Sequence, residues 1–378
     1  MSTDDGGRAP SPRVGPGNAT HMNQTSFDFS APPEPPTPAP PPTAAAAADA
    51  PRPDKQPPQD ASPAALEALA RQLEQHPDYR VLRRLVPVHD FGPRPATLDE
   101  ADKADKAGEA SATAHRVIVL DTETTGLFHQ ADKIIELAML MVQVDAVSGL
   151  PFGVVELYEG FEDPGMPIPA VAREVTGITD EMVRGQQLDE AAVAQMLAQA
   201  DLVIAHNAGF DRPFVEARFP GFAGKAWACS FKDIDWKAAG AESLKLSALA
   251  ADQGWFYDAH RAQVDCHALL QVLARPLGSD GQTGLARLIT AASQPSFKLS
   301  ATGSPFESKD VLKARGYRWD AEAKVWNCLL SDDAALEAEL EWLTEAVYRG
   351  RAASVEVERL DGHVRYSARH GEKEKRRL

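Results

Sequence analysis

Short apolar runs that end in polar clusters recur in the middle of the chain. Residues 117–120 and 202–205 are four-residue apolar runs rich in Val, Ile and Leu. Their length and β-branched content predict buried strands. Residues 268–273 have the apolar spacing of a helix and follow the polar segment 260–265. Strands that alternate with helices predict an α/β domain, in which functional groups gather at the carboxyl ends of strands.

Acidic residues lie at the polar end of each apolar run. Asp121 and Glu123 directly follow the first run, Asp211 follows the second, and Asp265 precedes the helix together with His260. Strand side chains two residues apart point the same way, so the first two acids share a face. Clustered carboxylates repel each other unless a cation lies between them, and hard oxygen ligands suit Mg²⁺ or Mn²⁺. The sequence therefore predicts a divalent metal site.

The three polar clusters together resemble the exonuclease motifs of the DEDDh (DnaQ-like) family, which contains the proofreading epsilon subunit of bacterial DNA polymerase III. The matching residues are two acids in the first motif, one acid in the second and a His-x4-Asp pair in the third: Asp121 and Glu123, Asp211, and His260 with Asp265. The His-x4-Asp spacing is typical of the histidine subclass. The resemblance covers residues 115–278 and implies an α/β, RNase H-like fold with a mixed central sheet flanked by helices.

The chemistry that the resemblance implies is phosphodiester hydrolysis at a 3′ end with release of nucleoside 5′-monophosphates. Two divalent cations, Mg²⁺ or Mn²⁺, would be held by Asp121, Glu123, Asp211 and Asp265. His260 would accept the proton of the attacking water, a task suited to a side chain that titrates near neutrality. DNA 3′ ends, in proofreading or repair, are the favoured substrate, and a polymerase is a candidate partner.

Four further residues occupy positions that contact the terminal nucleotide in the resembled family. Thr122, Thr124 and Leu127 would cradle that nucleotide through backbone amides and an apolar wedge. Asn207 would lie beside the substrate strand, although an Asn at this position could instead cap the helix that begins near Ala208. These four residues are the predicted substrate-binding set.

Two other functions fit the same motifs. An exoribonuclease of the same superfamily would need contacts to the 2′-hydroxyl, which a sequence does not reveal. A noncatalytic nucleic-acid-binding adaptor tethered to a clamp would keep the fold without turnover. Metal-dependent hydrolysis would be observed for either enzyme but not for the adaptor.

The N-terminal tail, residues 1–60, is rich in Pro, Ala, Ser and Asp and is predicted to be disordered. Within it, residues 24–29 resemble the peptides by which bacterial replication and repair factors dock on the DNA sliding clamp. An extended peptide would place Phe27 and Phe29 in an apolar pocket while Gln24 forms orienting hydrogen bonds. The alternative is a tail that carries two incidental aromatic residues.

Smaller segments flank the exonuclease-like region. Residues 61–114 are predicted as a helical segment and linker. Residues 296–347 are predicted as a small α+β accessory module, and residues 348–378 as a hairpin over 354–368 followed by a basic tail. The module interleaves aromatic and basic residues, which would suit base stacking and phosphate binding. The favoured interpretation is that Trp319 and Trp326 form its core, because so small a module has few other core residues.

Composition and charge complete the expectations. The net charge of −16 predicts weak, salt-sensitive binding to nucleic acid unless a partner holds the chain there. The three widely spaced cysteines indicate neither a disulfide framework nor a zinc site. The N-terminus does not resemble a secretory signal, and no apolar run is long enough to span a membrane. We therefore expect a cytoplasmic location without membrane contact.

Overall fold

Strands and helices alternate along the described residues, which are 62–94, 114–145 and 148–378 of the computed structural model. In chain order the strands are β1 (Arg83–Arg84), β2 (Ala114–Thr124), β3 (Ile134–Asp145), β4 (Pro151–Phe161), β5 (Leu202–Ala205), β6 (Ala226–Cys229), β7 (Trp255–Phe256), β8 (Ser296–Ala301), β9 (Arg318–Asp320), β10 (Val325–Leu330), β11 (Ser354–Leu360) and β12 (Glu372–Arg377). The predicted clamp-binding residues Gln24, Phe27 and Phe29 lie outside these ranges.

The helices in the same ranges are α1 (Pro63–Glu74), α2 (Ala170–Thr176), α3 (Asp180–Val183), α4 (Glu190–Gln199), α5 (Ala208–Arg218), α6 (Leu246–Asp252), α7 (Ala262–Leu273), α8 (Gly284–Ser293), α9 (Lys309–Arg315) and α10 (Asp333–Trp342). The side chains of Asp189, Thr283 and Asp332 cap α4, α8 and α10 by accepting a hydrogen bond from the amide three residues on. Among the described residues, no helix combines the length and apolar character needed to cross a membrane.

A mixed five-stranded sheet in the order β4-β3-β2-β5-β6 forms the centre of the larger domain. The pairs β2-β3 and β3-β4 are antiparallel, and β2-β5 and β5-β6 are parallel. Val117 and Val119 pack against α6, α7 and α8, whereas Ile118 and Leu120 pack against α4 and α5. All four side chains are fully buried, because alternate strand positions fill opposite faces. The predicted mixed sheet flanked by helices is confirmed.

The segment before the sheet contacts the larger domain through its second half. β1 pairs in parallel with β7, and Leu85 enters the core beside the sheet. Asp90 forms an isolated bridge with Val154. The predicted helix is present as α1, but it has no buried residue. Residues after the helix, rather than its apolar positions, therefore hold this segment on the domain.

A second five-stranded sheet, in the order β12-β11-β8-β10-β9, forms the C-terminal module, residues 296–378. Side chains from the sheet, α9 and α10 share one core. The boundary predicted at residue 347 is wrong, because β11 and β12 belong to the same sheet as β8. The predicted second hairpin strand around Val364 and Tyr366 is also wrong, since β11 pairs with β12. Charged side chains occupy every position of β12, so apolar alternation could not mark it as a strand.

The two tryptophans of the module differ in burial. Trp326 is half-buried and packs against the core of the module. Trp319, its direct partner across the β9-β10 pair, is 51% exposed. The prediction that both are core residues is therefore wrong for Trp319, which lies on the short edge strand β9.

The connection between β11 and β12 turns back onto the larger domain. The fully buried guanidinium group of Arg212, in α5, donates hydrogen bonds to the backbone oxygens of Gly362, His363 and Arg365. The amide of Trp227, in β6, donates to the same Gly362 oxygen at 2.8 Å. The C-terminal module is therefore anchored on the helix that also carries Asp211.

Candidate active site

The carboxyl end of β2 places Asp121 and Glu123 on one face of the central sheet. They continue the alternation of Val117 and Val119, so both point to the side that α7 covers. Asp265 lies in the first turn of α7, which brings a third carboxylate to the same place. One carboxylate oxygen from each of the three acids lies within 4.8 Å of the others.

Asp211 approaches from the opposite face of β2. It lies in the first turn of α5 and is 2% exposed. Its Oδ1 atom accepts hydrogen bonds from the backbone amide and the hydroxyl of Thr122, at 3.1 and 2.8 Å. Thr122 can reach α5 because it alternates with Asp121 along the strand. The structure thus brings Asp121, Glu123 and Asp265 within reach of a shared cation. Asp211 lies next to them through Thr122, and we call these four acids the carboxylate cluster.

Burial and mutual repulsion raise the pKa values in the carboxylate cluster. Burial raises the pKa of Asp121 well above its usual range, and the charges of Asp211 and Asp265 add to this effect. Burial, with the charge of Asp265, raises the pKa of Glu123 to about 8. Burial raises the pKa of Asp211 to about 7, against its hydrogen bonds from Thr122. The charged cluster is therefore costly unless cations compensate it, and its all-oxygen donor set fits Mg²⁺ or Mn²⁺.

His260 lies in the exposed turn before α7. Its φ of 70° is left-handed, and its amide donates to Oδ2 of Asp265 at 2.8 Å. The amide of Arg261 donates to the same oxygen at 3.1 Å, and the hydroxyl of Tyr257 donates to Oδ1 of Asp265 at 3.1 Å. Three donors therefore fix the orientation of Asp265, and the turn places His260 beside the carboxylate cluster.

A buried ion pair that sequence reasoning missed borders the carboxylate cluster. Glu136, in β3, is fully buried and lies directly opposite Glu123 in the strand pairing. Its carboxylate accepts hydrogen bonds from Nη2 of Arg261 at 2.8 Å and from the amide of Ala262 at 3.0 Å. The pair joins the start of α7 to the sheet. An acid flanked by apolar residues on both sides, near the start of β3, was the available signal in the sequence.

The four predicted substrate-binding residues differ in their surroundings. Leu127 is 63% exposed, whereas Thr122 and Thr124 are buried. The hydroxyl of Thr124 donates to the backbone oxygen of Gly126 at 2.6 Å, and that of Thr122 is bound to Asp211. Asn207 is exposed, has a left-handed φ of 71° and forms no side-chain cap on α5. The side chains of Leu127 and Asn207 are therefore exposed to solvent, Leu127 just after β2 and Asn207 just before α5.

Comparisons with known proteins agree with this geometry. A protein-family model described as RNase_T, exonuclease, matches residues 118–273, the range that contains all five motif residues. The chain is 36% identical over 103 residues to DNA polymerase III PolC-type of Listeria innocua, covering 27% of this chain and 7% of that protein. It is 30% identical over 180 residues to DNA polymerase III PolC-type of Thermotoga maritima, covering 45% and 12%. The chain thus matches only a small part of the length of these relatives.

Two of the solved structures to which the chain shows partial similarity contain bound DNA. One is described as exonuclease X in complex with 5′ overhanging duplex DNA, with 21% identity, a TM-score of 0.31, and coverage of 45% of this chain and 99% of that chain. The other is E. coli exonuclease I in complex with a dA16 oligonucleotide, with 18% identity, a TM-score of 0.37, and coverage of 49% and 48%.

Proposed function

We propose that residues 118–273, which match the exonuclease family model, form a DnaQ-like exonuclease domain that removes nucleotides from the 3′ ends of DNA. The products would be nucleoside 5′-monophosphates, and the setting would be proofreading or repair. The observation that carries this proposal is the carboxylate cluster at one end of the central sheet. In it, acids of β2 and α7 lie close enough to share a cation, and Asp211 of α5 is bound to the neighbouring Thr122. Acids that are partly or fully buried and have raised pKa values suit a site that binds divalent cations.

The carboxylate cluster would hold two divalent cations, Mg²⁺ or Mn²⁺, which when bound supply a deprotonated nucleophile and stabilise charge on the departing 3′-oxygen. The protein contributes the placement of the oxygen ligands. β2 pairs with β3 along its whole length and with β5 as far as Leu120, so Asp121 and Glu123 lie on a strand that is held in place up to the site. The two hydrogen bonds from Thr122 orient Asp211, and three donors orient Asp265. Such supporting contacts set the ligand geometry before substrate binds.

His260 would accept the proton of the attacking water and pass it to solvent, to which the residue is exposed. Leu127 would pack against the terminal base as an apolar wedge, and Asn207 would contact the substrate strand. Thr124 would contact the terminal nucleotide through its backbone amide. Thr122 would act on the substrate only indirectly, through Asp211.

Digestion of end-labelled oligonucleotides tests the proposal. Matched DNA and RNA strands, single-stranded or with a 3′ mismatch, are incubated with Mg²⁺, Mn²⁺ or a chelator, beside the Asp121→Asn variant. We expect 5′-labelled DNA to shorten stepwise, and 3′-labelled DNA to release labelled mononucleotide at once. Chelator and Asp121→Asn should both stop the reaction. Faster digestion of RNA would favour the exoribonuclease, and no digestion of either strand would favour the adaptor.

Replacing His260 tests its role as proton acceptor. His260→Asn is the best variant, because Asn tolerates the left-handed backbone at this position better than Ala does. The hydrolysis rate should fall by about 10²–10⁴-fold, the usual contribution of a general base. The Mg²⁺ concentration for half-maximal activity should stay nearly constant, as measured by metal titration of both proteins. Similar losses in rate and metal affinity would instead make His260 a structural residue.

A DNA sliding clamp and a polymerase are the proposed protein partners. The relatives named DNA polymerase III PolC-type support a polymerase context. A role on chromosomal DNA fits the predicted cytoplasmic location. Replacing Gln24, Phe27 and Phe29 together by Ala should weaken clamp binding, measured by surface plasmon resonance, by about tenfold or more, because buried aromatic anchors dominate such contacts. Turnover on free oligonucleotides should not change. Unaltered clamp affinity would refute the docking role of residues 24–29.

A further inference from the structure

A cleft of about 340 Å³ opens on the C-terminal module, where the connection from β8 to α9 meets β9 and β10. Its lining includes three aromatic side chains and two lysines: Phe306, Trp319, Trp326, Lys309 and Lys324. We call it the aromatic cleft. All its lining residues belong to the module, so it is separate from the carboxylate cluster.

The aromatic groups of the cleft are unusually exposed for a folded module. Phe306 is 77% exposed and Trp319 is 51% exposed. Trp326 forms the floor, because it packs on the core and lies 5.6 Å from Trp319 between ring centroids. Exposed aromatic side chains around a concave surface mark binding sites, because the hydrophobic effect would otherwise favour the burial of these side chains in the core.

The charges at the cleft favour an anionic ligand. Both charged residues in its lining are lysines, and Nζ of Lys309 lies 4.7 Å from the ring centroid of Phe306. Asp320, at the end of β9, accepts hydrogen bonds from the amides of Glu322 and Ala323 within the β9-β10 turn. Lys324 ends the same turn with a left-handed φ of 52°. The turn thus places Lys324 at the cleft, while the carboxylate of Asp320 is bound to backbone amides.

The distribution of charge along the chain supports the same conclusion. Residues 296–378 contain 15 Lys and Arg and 15 Asp and Glu, so the whole net charge of −16 falls on residues 1–295. A polyanion is therefore repelled less by the C-terminal module than by the rest of the chain.

We propose that the aromatic cleft is a second nucleic-acid site, which binds single-stranded DNA. Bases stack on Phe306 and Trp319, while Lys309 and Lys324 contact the phosphates. Stacking needs unpaired bases, because a duplex keeps its base faces covered; this favours a single strand over a duplex. Aromatic platforms beside cations are the usual means of binding single strands without sequence preference. The site goes beyond the proposed hydrolysis and does not depend on it.

Binding of fluorescent oligothymidylate of about 15 nucleotides, followed by anisotropy in chelator, tests the proposal in the full chain without turnover. The Phe306→Ala/Trp319→Ala variant should bind at least about tenfold more weakly, since each stacked base contributes to affinity. Lys309→Gln/Lys324→Gln should lower the slope of log affinity against log salt by about 1.4, the value for two phosphate contacts on a single strand.

Two control variants match these changes within the same module. Leu329→Ala removes a side chain that is 72% exposed on β10, and Lys313→Gln removes an exposed charge on α9. Neither residue lines the cleft, so both variants should bind DNA like the parent. Thermal denaturation of all variants checks that the module stays folded.

Several outcomes would overturn the aromatic cleft as a DNA site. These are parent-like binding by a folded Phe306→Ala/Trp319→Ala variant, equal weakening in the controls, or binding of duplex as tight as that of a single strand. Absence of oligonucleotide binding by the parent would also overturn it and would favour a protein ligand. Failure of the exonuclease proposal is distinguishable, because hydrolysis would then be absent while binding in chelator persists.

Discussion

Replacing Asp211 by Asn is expected to reduce hydrolysis by at least about a thousandfold while the protein stays folded. Asn keeps an oxygen that can accept both hydrogen bonds from Thr122, so the contact between α5 and β2 survives. The variant loses only the negative charge. Charge stabilisation by divalent ions at such sites amounts to several kcal/mol, and each 1.36 kcal/mol is about tenfold in rate. Single-turnover hydrolysis of a labelled oligonucleotide measures the loss.

The same variant should be at least as stable as the parent when metal is removed. Burial raises the pKa of Asp211 to about 7, so its carboxylate is costly in the folded state at pH 8. Asp211→Asn removes this cost, and the melting temperature in chelator should rise by a few degrees, about 2–4 °C per kcal/mol. Mg²⁺ should raise the melting temperature of the parent more than that of the variant, because ligands stabilise the state they bind.

Glu174→Gln is the matched control for Asp211→Asn. Glu174 is an exposed acid of α2 outside the carboxylate cluster. Its replacement removes the same charge and should change neither the rate nor the response of the melting temperature to Mg²⁺. Parent-like turnover in Asp211→Asn would remove Asp211 from the metal site, and a collapsed melting curve in chelator would show that its charge supports the fold.

The central sheet could be predicted from the sequence because its signals are local. The residues of 117–120 face apolar layers on both sides, so burial makes the whole run apolar, and the acids begin where the strand leaves the core. Parallel pairing of β2 with β5 then explains why polar clusters that follow two separate runs meet. The meeting of Asp211 with Thr122 follows from this arrangement, although the hydrogen bonds themselves depend on side-chain geometry.

The parts that could not be predicted depend on distant or irregular contacts. Glu136 and Arg261 are 125 residues apart, and neither has a local pattern that identifies the other as its partner. β12 has charged side chains on both faces; it lies at a sheet edge, and five of its six residues are exposed. Trp319 is exposed because it lies on an edge strand. The position of a strand within its sheet cannot be read from the apolar character of one residue.

Replacing Arg261 by Met is expected to lower the free energy of unfolding by about 2–4 kcal/mol, as measured by urea denaturation. Glu136 is fully buried, and the variant removes the guanidinium that compensates its charge. Loss of one partner of a buried ion pair costs about 3–5 kcal/mol, and the partial exposure of Arg261 reduces this somewhat. Met retains an unbranched apolar stem beside Phe161, over whose ring the guanidinium lies.

The companion variant Glu136→Gln separates charge from packing. Gln retains an oxygen that can accept from the amide of Ala262, which contacts Glu136 at 3.0 Å. The double variant Arg261→Met/Glu136→Gln should therefore recover much of the stability lost in Arg261→Met, giving a coupling free energy of about 1–3 kcal/mol. Additive losses would mean that the two residues act independently. In that case Arg261 would stabilise the start of α7 by packing, and Asp265 would keep its position without the ion pair.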